Sequence, residues 1–396
     1  MAILPKITLL DLCGPGYIFN ARVSARATNW VFKDDPARAD AVTGNLLVSM
    51  GGMPILFNQD ANPDESIQLL HEAGHKFSAK IHRFSDERDH IRQTQRLIKQ
   101  GWKMVTQHVY PVDEIAPECC LVNPATLSYL NNKESLPELV SFEHVPQRKI
   151  VPTSTLLQEL ANYRQFPIVI KAVTDESSGG GVDIMICNTL DDIKIAASYF
   201  SDCFKVVVED FMKIKSNYCM SYAASMNGEI FYAGASEQII DDRGEQYGNW
   251  LGRDIIAPDP AVKAGYDVMK KAVSRGYVGF AGFDMAVLDD GSVKVFDLNF
   301  RYNASTVPLL IYDSIVKHIG KSEILLHGWE CQGTYEDLIK TARNAVHQGY
   351  LIPTNIYNPT LSIRPNARPM LFGLLCGSTR EEVFERNEGF LKQGLV

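Results

Sequence analysis

The sequence predicts an α/β (α+β) protein that combines a parallel sheet with a larger unit of strands and helices, and three observations support this. Strand-like and helix-like patterns alternate over residues 1 to about 120, which is typical of a parallel sheet covered by helices. Two short apolar runs then flank a glycine-rich loop at 171–182. Residues 282–303 read as a β-hairpin, because two alternating runs flank the turn Asp289-Asp290-Gly291.

The first unit contains apolar runs short enough to be strands and one run typical of a helix. The helix covers residues 66–73 and is expected to end at Gly74, since glycine commonly follows the last turn of a helix. The predicted strands are Ile7–Leu10, Asn45–Met50, Pro54–Phe57 and Lys103–Thr106.

The second unit begins near Pro124 and holds most of the predicted strands. It includes a helix capped by Ser154, a hairpin turn at Asn227-Gly228 and a long polar loop over 241–260. Its strands are predicted at 167–172, 182–186, 205–210, 219–226 and 230–236, and its other helices at 127–136, 191–199 and 261–275.

The tail of the chain reads as a smaller unit, with helices at 335–347 and 380–391 and a strand at 369–376. The expected domains are residues 1–124, residues 125–325 with a lid at about 150–210, and residues 326–396.

Composition and charge narrow the class of protein. A chain of 396 residues, 45% of them hydrophobic, can bury several cores, and a net charge of −8 without a basic block argues against a nucleic-acid partner. The N-terminal segment has neither the pattern of a signal peptide nor that of a membrane span. Eight scattered cysteines without a C-x-x-C pair indicate reduced thiols, so we expect a cytoplasmic protein with no membrane partner. Its oligomeric state stays open, with a homodimer as the commonest case.

Polar side chains close the second strand of the predicted hairpin. Because side chains alternate along a strand, one face is expected to hold Val293, Val295, Asp297, Asn299 and Arg301. Asp and Asn oxygens suit Mg²⁺, which takes one or two carboxylates together with substrate phosphates, and Asp284 on the partner strand supplies a second carboxylate. Arg301 offers a planar fork for a phosphate oxygen. The group predicts a site for Mg²⁺ and a nucleoside triphosphate.

The glycine-rich segment at 171–182 offers a second phosphate contact. Small residues let backbone N–H groups approach phosphate oxygens, and Lys171 on the preceding strand can reach the same oxygens. The pattern is neither G-x-G-x-x-G nor G-x-x-x-x-G-K-[ST], and it leads into a strand. It therefore argues against Rossmann and P-loop sites.

The order of these motifs resembles the ATP-grasp superfamily over roughly residues 125–325. Asn132-Lys133 looks like that family's first nucleotide lysine and Lys171 its second, and residues 275–280 look like the glycine-rich approach to its first metal acid. Asp297 stands where the family usually carries Glu. The nucleotide-binding residues that the resemblance implies are Lys133, Lys171, Ser177, Ser178, Gly179, Gly180, Gly181, Glu209, Asp210 and Phe211, and the metal ligands are Asp284, Asp297 and Asn299.

Within the superfamily, Ser236-Glu237-Gln238 followed by Tyr247-Gly248-Asn249 resembles carboxylate–amine ligases that make peptide-like bonds. The N-terminal unit is similar to the domain that precedes the grasp in peptide ligases of natural-product pathways, such as those of the pheganomycin type. The acid that often contacts ribose in the superfamily is not evident, since Lys213-Ile214-Lys215-Ser216-Asn217 stands in its place.

The resemblance implies an ATP-dependent ligase that joins an amino acid or peptide carboxylate to an amine through an acyl phosphate, releasing ADP and phosphate. Mg²⁺, with Mn²⁺ as an alternative, is the implied metal. Arg301 and Lys171 are implied to act on the transferring phosphate. Arg253, in the polar loop, is a candidate for the substrate carboxylate by its charge and place, and a solvated loop arginine is the alternative.

Three alternatives stay open at the level of the sequence. A small-molecule kinase and a non-catalytic nucleotide-binding protein would both use such a site. His71-Glu72-Ala73-Gly74-His75 matches the H-E-x-x-H pattern of a zinc metalloprotease, but Gly74 is expected to end the helix before the second histidine.

Overall fold

The N-terminal part of the chain forms a four-stranded parallel sheet in the computed structural model, which describes residues 2–23, 35–174, 183–240, 246–364 and 366–396. The strand order is β3-β2-β1-β4, and every neighbouring pair is parallel. The strands are β1 (Tyr17–Asn20), β2 (Ile55–Asn58), β3 (Ile81–Phe84) and β4 (Lys103–Thr106), and the helices are α1 (Leu9–Cys13), α2 (Pro36–Val42), α3 (Asp64–Glu72) and α4 (Glu87–Lys99).

Two predicted strands of this unit are wrong. Residues 7–10 enter helix α1, because the Thr8 hydroxyl accepts from the Asp11 N–H and the Asp11 carboxylate accepts from the Thr8 N–H, a reciprocal helix cap. Residues 45–50 form a turn with a short 3₁₀ helix, Leu47–Ser49. Short apolar runs do not distinguish strand from buried helix, which explains both errors.

The lid region forms a second, antiparallel sheet with its own hydrophobic core. Its order is β5-β8-β6-β7, with β5 (Arg148–Pro152), β6 (Ile168–Val173), β7 (Ile184–Cys187) and β8 (Lys205–Asp210). Helices α5 (Pro124–Asn131) and α6 (Leu136–Leu139) precede it, and α7 (Leu156–Glu159) and α8 (Leu190–Tyr199) belong to it. The predicted Ser154 cap is wrong, since α7 follows a 3₁₀ turn at Thr153–Thr155 and has no side-chain cap.

The third sheet has eight antiparallel strands in the order β13-β12-β9-β10-β11-β14-β16-β15. The strands are β9 (Ile214–Ala224), β10 (Ile230–Ile240), β11 (Gln246–Leu251), β12 (Gly279–Leu288), β13 (Val293–Asn299), β14 (Glu323–Glu330), β15 (Leu351–Tyr357) and β16 (Met370–Gly377). The helices are α9 (Asp259–Val273), α10 (Thr306–Ile319), α11 (Tyr335–His347) and α12 (Arg380–Lys392). The predicted loop over 241–260 contains β11, and the strands of the tail continue the same sheet.

A β-bulge decides which side chains of β13 reach the cleft. Asp284 pairs with Asp297 and Met285 pairs with Val295, so Phe296 has no partner in the register. Val295 therefore lies in the core beneath the sheet together with Leu298, and not beside Asp297. The single face predicted for Val293 to Arg301 is wrong: Val293 and Val295 face the core, while Asp297, Asn299 and Arg301 lie on the opposite face.

The packing of α9 on β9 yields a test of the fold. A Cβ added at Gly265 would overlap the buried phenol ring of Tyr222, whereas one added at Gly389 of α12 meets no atom within 4 Å. Gly265→Ala should lower the free energy of unfolding by about 1–3 kcal/mol through overpacking. Gly389→Ala should raise it by about 0.5–1 kcal/mol through helix propensity. Urea denaturation of both variants measures the difference, and equal effects would contradict the packing.

Candidate functional site

A buried cluster of charges lies where the lid sheet meets the central sheet. The Lys171 ammonium, on β6, lies 2.6 Å from Glu209 Oε2 and donates to the Phe296 carbonyl at 2.9 Å. Arg148 Nη1 lies 3.4 Å from Glu209 Oε1. All three charged side chains are at most 6% exposed. One carboxylate thus neutralises two buried cations.

Lys133 connects this cluster to both sheets. Its ammonium lies 2.7 Å from Asp183 Oδ2, just before β7, and 3.4 Å from Asp297 Oδ1 on β13. Arg148 Nη2 donates to the Lys133 carbonyl at 2.8 Å. Burial lowers the pKa of Lys133, but the two carboxylates outweigh burial and raise the pKa above its ordinary value. Lys133 is therefore a charged residue held between the lid and the central sheet.

The end of β13 forms a chain of polar contacts. Asn299 Nδ2 donates to Asp297 Oδ2 at 3.1 Å, and Arg301 Nη2 donates to Asn299 Oδ1 at 2.6 Å. Burial raises the pKa of Asp297, but the charges of Lys133, Lys171 and Arg301 outweigh burial and hold this pKa below its usual range. The carboxylate of Asp297 is therefore ionised.

Asp284 faces Asp297 across the β12–β13 pair and is the second carboxylate of the site. Gln238 Nε2, on β10, donates to Asp284 Oδ1 at 3.0 Å. Burial and the negative charge of Asp297 raise the pKa of Asp284 to about 7. Two neighbouring carboxyl groups, one of them with an elevated pKa, form a pair whose charge a cation would stabilise.

The oxygens of this pair fit a magnesium ion. Mg²⁺ prefers hard oxygen ligands and is held by one or two carboxylates with substrate phosphates, which corresponds to Asp284, Asp297 and the Asn299 amide oxygen. Among the described residues no group of three His, Cys, Asp or Glu side chains could hold a metal, so this donor set has two carboxylates and not three.

Of the remaining predicted nucleotide residues, Glu209 belongs to the cluster, and the others lie apart from it or outside the described residues. The loop residues Ser177, Ser178, Gly179, Gly180 and Gly181 are outside the described residues. Glu209 directs its carboxylate inward to the two cations, while Asp210 and Phe211 are exposed at the end of β8. Arg253 lies on an exposed turn after β11, which is four strands from β13, or roughly 19 Å. The structure does not bring Arg253 into the cluster.

Three residues of the cluster were not predicted as site residues. Arg148 and Asp183 complete the ion pairs of Glu209 and Lys133. Gln238 contacts Asp284 from within the Ser236-Glu237-Gln238 segment, whose resemblance to ligases was the available signal. Asp183 directly follows the glycine-rich segment, but an acid at that place has no distinctive spacing.

The H-E-x-x-H segment is not a zinc site. Helix α3 ends at Glu72, and Gly74 has a positive φ of 104°, as expected for a glycine that ends a helix. His71 Nδ1 bonds the His75 carbonyl, and His75 Nε2 bonds the Pro353 carbonyl. The rings contact different backbone groups and do not converge, so the metalloprotease alternative is excluded.

The Glu209 ion pairs should be important for stability. Glu209→Gln leaves Lys171 and Arg148 buried without a neutralising charge, so we expect a loss of about 3–5 kcal/mol in the free energy of unfolding. Glu159→Gln removes the exposed Lys149–Glu159 pair of the same lid and should cost less than about 1 kcal/mol. Urea titrations of both variants provide the comparison, and a small effect at Glu209 would contradict the buried network.

The raised pKa of Asp284 predicts a pH dependence of stability without metal. Because the folded pKa of about 7 exceeds the ordinary value of about 4, the folded state holds an extra proton between these pH values. This contribution is fully present below pH 4 and is lost as the pH rises through 7. In EDTA, wild type should therefore lose more stability than Asp284→Asn between pH 5 and pH 7.5. Equal losses in the urea titrations would refute the assignment.

Two family models match this chain. Residues 146–299 match the family model described as L-aspartate–L-methionine ligase, ATP grasp, and residues 8–128 match the model described as the N-terminal domain of L-aspartate–L-methionine ligase. The two models together cover more than two thirds of the chain.

Solved structures share the fold across nearly the whole chain. N5-carboxyaminoimidazole synthetase from Staphylococcus aureus, complexed with ADP, has a TM-score of 0.59 at 12% identity, and the match covers 99% of this chain and 100% of that one. An L-amino acid ligase from Bacillus licheniformis has a TM-score of 0.53 at 12% identity, with 96% and 98% covered. At such identities the likeness establishes the fold.

Within the described residues, no helix has the length and apolar character needed to cross a membrane. The sequence resemblance to ATP-grasp carboxylate–amine ligases is confirmed, and the narrower similarity to pheganomycin-type ligases stays a prediction. The matched N-terminal and ATP-grasp domains, with the shared fold, show that this chain belongs to the ATP-grasp superfamily and is an ATP-dependent carboxylate–amine ligase that forms ADP.

Proposed function

We propose that this ligase joins the carboxylate of L-aspartate to the amine of L-methionine, using the cluster between the lid and the central sheet as its phosphoryl-transfer site. The matched family models carry the choice of substrates. The observation that supports the site is the convergence of Lys133, Lys171 and Arg301 on the carboxylate pair Asp284 and Asp297. Three cations beside two carboxylates are the charge pattern that a metal-bound triphosphate needs.

In the proposed reaction, a carboxylate oxygen of aspartate attacks the γ-phosphorus of ATP. The bond from that phosphorus to the β,γ-bridging oxygen breaks, and ADP leaves. The amine of methionine then attacks the acyl carbon, loses a proton and displaces phosphate. Lys133, Lys171 and Arg301 offset the charge on the transferring group, which is the main electrostatic contribution that the chain makes.

Asp284, Asp297 and Asn299 are the proposed ligands of Mg²⁺, which when bound neutralises phosphate charge. Gln238 orients the Asp284 carboxylate by its hydrogen bond. Burial of the cluster under the lid strands keeps water from the acyl phosphate, which water would hydrolyse. The predicted roles of Glu209, Asp210, Phe211, Arg253 and the loop Ser177–Gly181 stay predictions.

We also propose a cytoplasmic location and the domain limits 1–124, 125–325 and 326–396. None of the eight cysteines, all of which lie in the described residues, forms a disulfide, and six of them are buried. Reduced thiols in this number are typical of the cytoplasm. Amino acid substrates and ATP are available there.

Mass spectrometry of the products tests the function. With Mg-ATP, L-aspartate and L-methionine, we expect ADP together with a dipeptide one water lighter than the two amino acids. AMP instead of ADP would contradict the acyl-phosphate route, and a phosphorylated amino acid without dipeptide would indicate a kinase.

Asp297→Asn tests the site in the same assay. Removing the negative charge of a proposed metal ligand should lower kcat by about 100-fold or more. Substitution of residues that only hydrogen-bond to metal ligands already costs about 10–100-fold. Asp289→Asn, on the exposed turn of the same hairpin, should keep wild-type kcat. Both variants should fold, as judged by circular dichroism. An active Asp297→Asn enzyme would remove this residue from the site.

A further inference from the structure

The parallel sheet has a point at which its strand order reverses. The chain places β2 and β3 on one side of β1 and then returns to place β4 on the other side, giving the order β3-β2-β1-β4. In open parallel sheets, ligands bind beyond the carboxyl ends of the two strands at such a reversal. Here these are the ends of β1 and β4.

Buried polar side chains follow both strand ends and are incompletely bonded. Asn20, the last residue of β1, is 1% exposed, and its Nδ2 has no hydrogen-bond partner within the described parts of the chain. The same holds for Arg22 Nε, although the Arg22 Nη atoms lie 3.1 Å from Glu87 and 2.7 Å from Glu114. Both unpartnered atoms are hydrogen-bond donors, so a ligand that bonds to them has to offer an acceptor.

His108, just after β4, is the member of this group that retains accessible surface. Its ring is half-buried, and its Nδ1 has no hydrogen-bond partner among the described residues. Burial lowers the pKa of His108 to about 3, with smaller contributions from the charges of Arg301 and Arg22. The ring of His108 is therefore neutral near pH 7, and the residue keeps part of its surface accessible at this strand end.

This strand end adjoins the proposed phosphate site. The Tyr302 N–H donates to Gln107 Oε1 at 2.8 Å, and Arg301 Nη1 donates to the Tyr302 carbonyl at 3.2 Å. Gln107 immediately precedes His108. Two hydrogen bonds of Tyr302 therefore connect the neighbour of His108 to Arg301.

We propose that the carboxyl ends of β1 and β4 form the subsite for the α-amino acid whose carboxylate is activated, with His108 contacting that substrate and Asn20 and Arg22 supporting the contact from behind. The inference rests on the proposed function and adds the place of the acid substrate. The acid must lie beside the γ-phosphate before the amine attacks, and this edge is connected to Arg301 through Gln107 and Tyr302.

The charges of the edge suit a zwitterion. His108, supported from behind by Arg22 and the Asn20 amide, suits a carboxylate, whereas Glu87 and Glu114, which pair with Arg22, suit an ammonium group. Glu114 is the more buried of the two acids, with a side chain 10% exposed against 58% for Glu87. Methionine has an uncharged side chain, so it would leave part of this charged surface without a partner.

Calorimetric titration with L-aspartate tests the subsite in the full chain, saturated with Mg²⁺ and a non-hydrolysable ATP analogue. His108→Ala should weaken L-aspartate binding at least tenfold while the affinity for the analogue stays within twofold. His108→Asn, which retains a nitrogen near the Nδ1 position, should recover part of the loss. His82→Ala, a half-buried histidine on β3 of the same sheet, is the matched control and should bind as wild type does.

The outcomes separate the subsite from the function. Unchanged L-aspartate affinity in a folded His108→Ala protein overturns the subsite, as does a loss confined to L-methionine. Loss of L-aspartate binding in His108→Ala supports the subsite even if wild type makes no dipeptide, in which case only the proposed product fails. Dipeptide formation at wild-type KM for aspartate in His108→Ala leaves the function intact and refutes the subsite.

Discussion

The contact of Lys133 with Asp183 and Asp297 is the interaction on which the cleft depends. Lys133 lies between α5 and α6, Asp183 opens the second half of the lid sheet, and Asp297 belongs to the central sheet. These three largely buried charges neutralise one another, and a buried charge left without any partner would be strongly destabilising. The same charges therefore also hold the lid sheet against the central sheet. Lys171 makes a second such link, through Glu209 of the lid sheet and the Phe296 carbonyl of the central sheet.

The bulge at Phe296 lets one short strand place some side chains in the core and others in the cleft. Leu298 and Phe300 are needed in the core against α5 and α9, and Asp297 and Asn299 are needed in the cleft. A regular strand that kept Val295 in the core would send Asp297 into the core as well, because side chains alternate strictly. The extra residue reverses the alternation at the point where the strand leaves the core and enters the site, which is a frequent use of bulges near functional sites.

The sequence predicts those elements whose local pattern of residues agrees with their packing in the folded chain. Strands β4 and β8 and helix α11 occur at the predicted residues, and the hairpin around Asp290-Gly291 forms as its turn predicts. Strand β11 was missed because it lacks the apolar alternation of an ordinary strand: its buried Asn249 donates to the buried Ser236 hydroxyl at 3.0 Å. Arg148 and Asp183 were missed for a related reason: their partners are distant in the chain, and no local pattern marks a residue whose role is to neutralise another.

The same charges explain why nucleotide and metal binding should be coupled in this cleft. Each cation of the cluster already has a carboxylate or amide partner, so a phosphate group has to compete with Asp183, Asp297 and Glu209 for the lysines. A phosphate that takes Lys133 removes a counter-charge from Asp297, and Asp284 then faces a less neutralised neighbour. When Lys133 binds the phosphate, both carboxylates gain affinity for a cation. A cation beside them in turn lowers the free energy needed to separate Lys133 from Asp297. By linkage, a triphosphate and a metal ion bound at the proposed site would favour each other's binding equally.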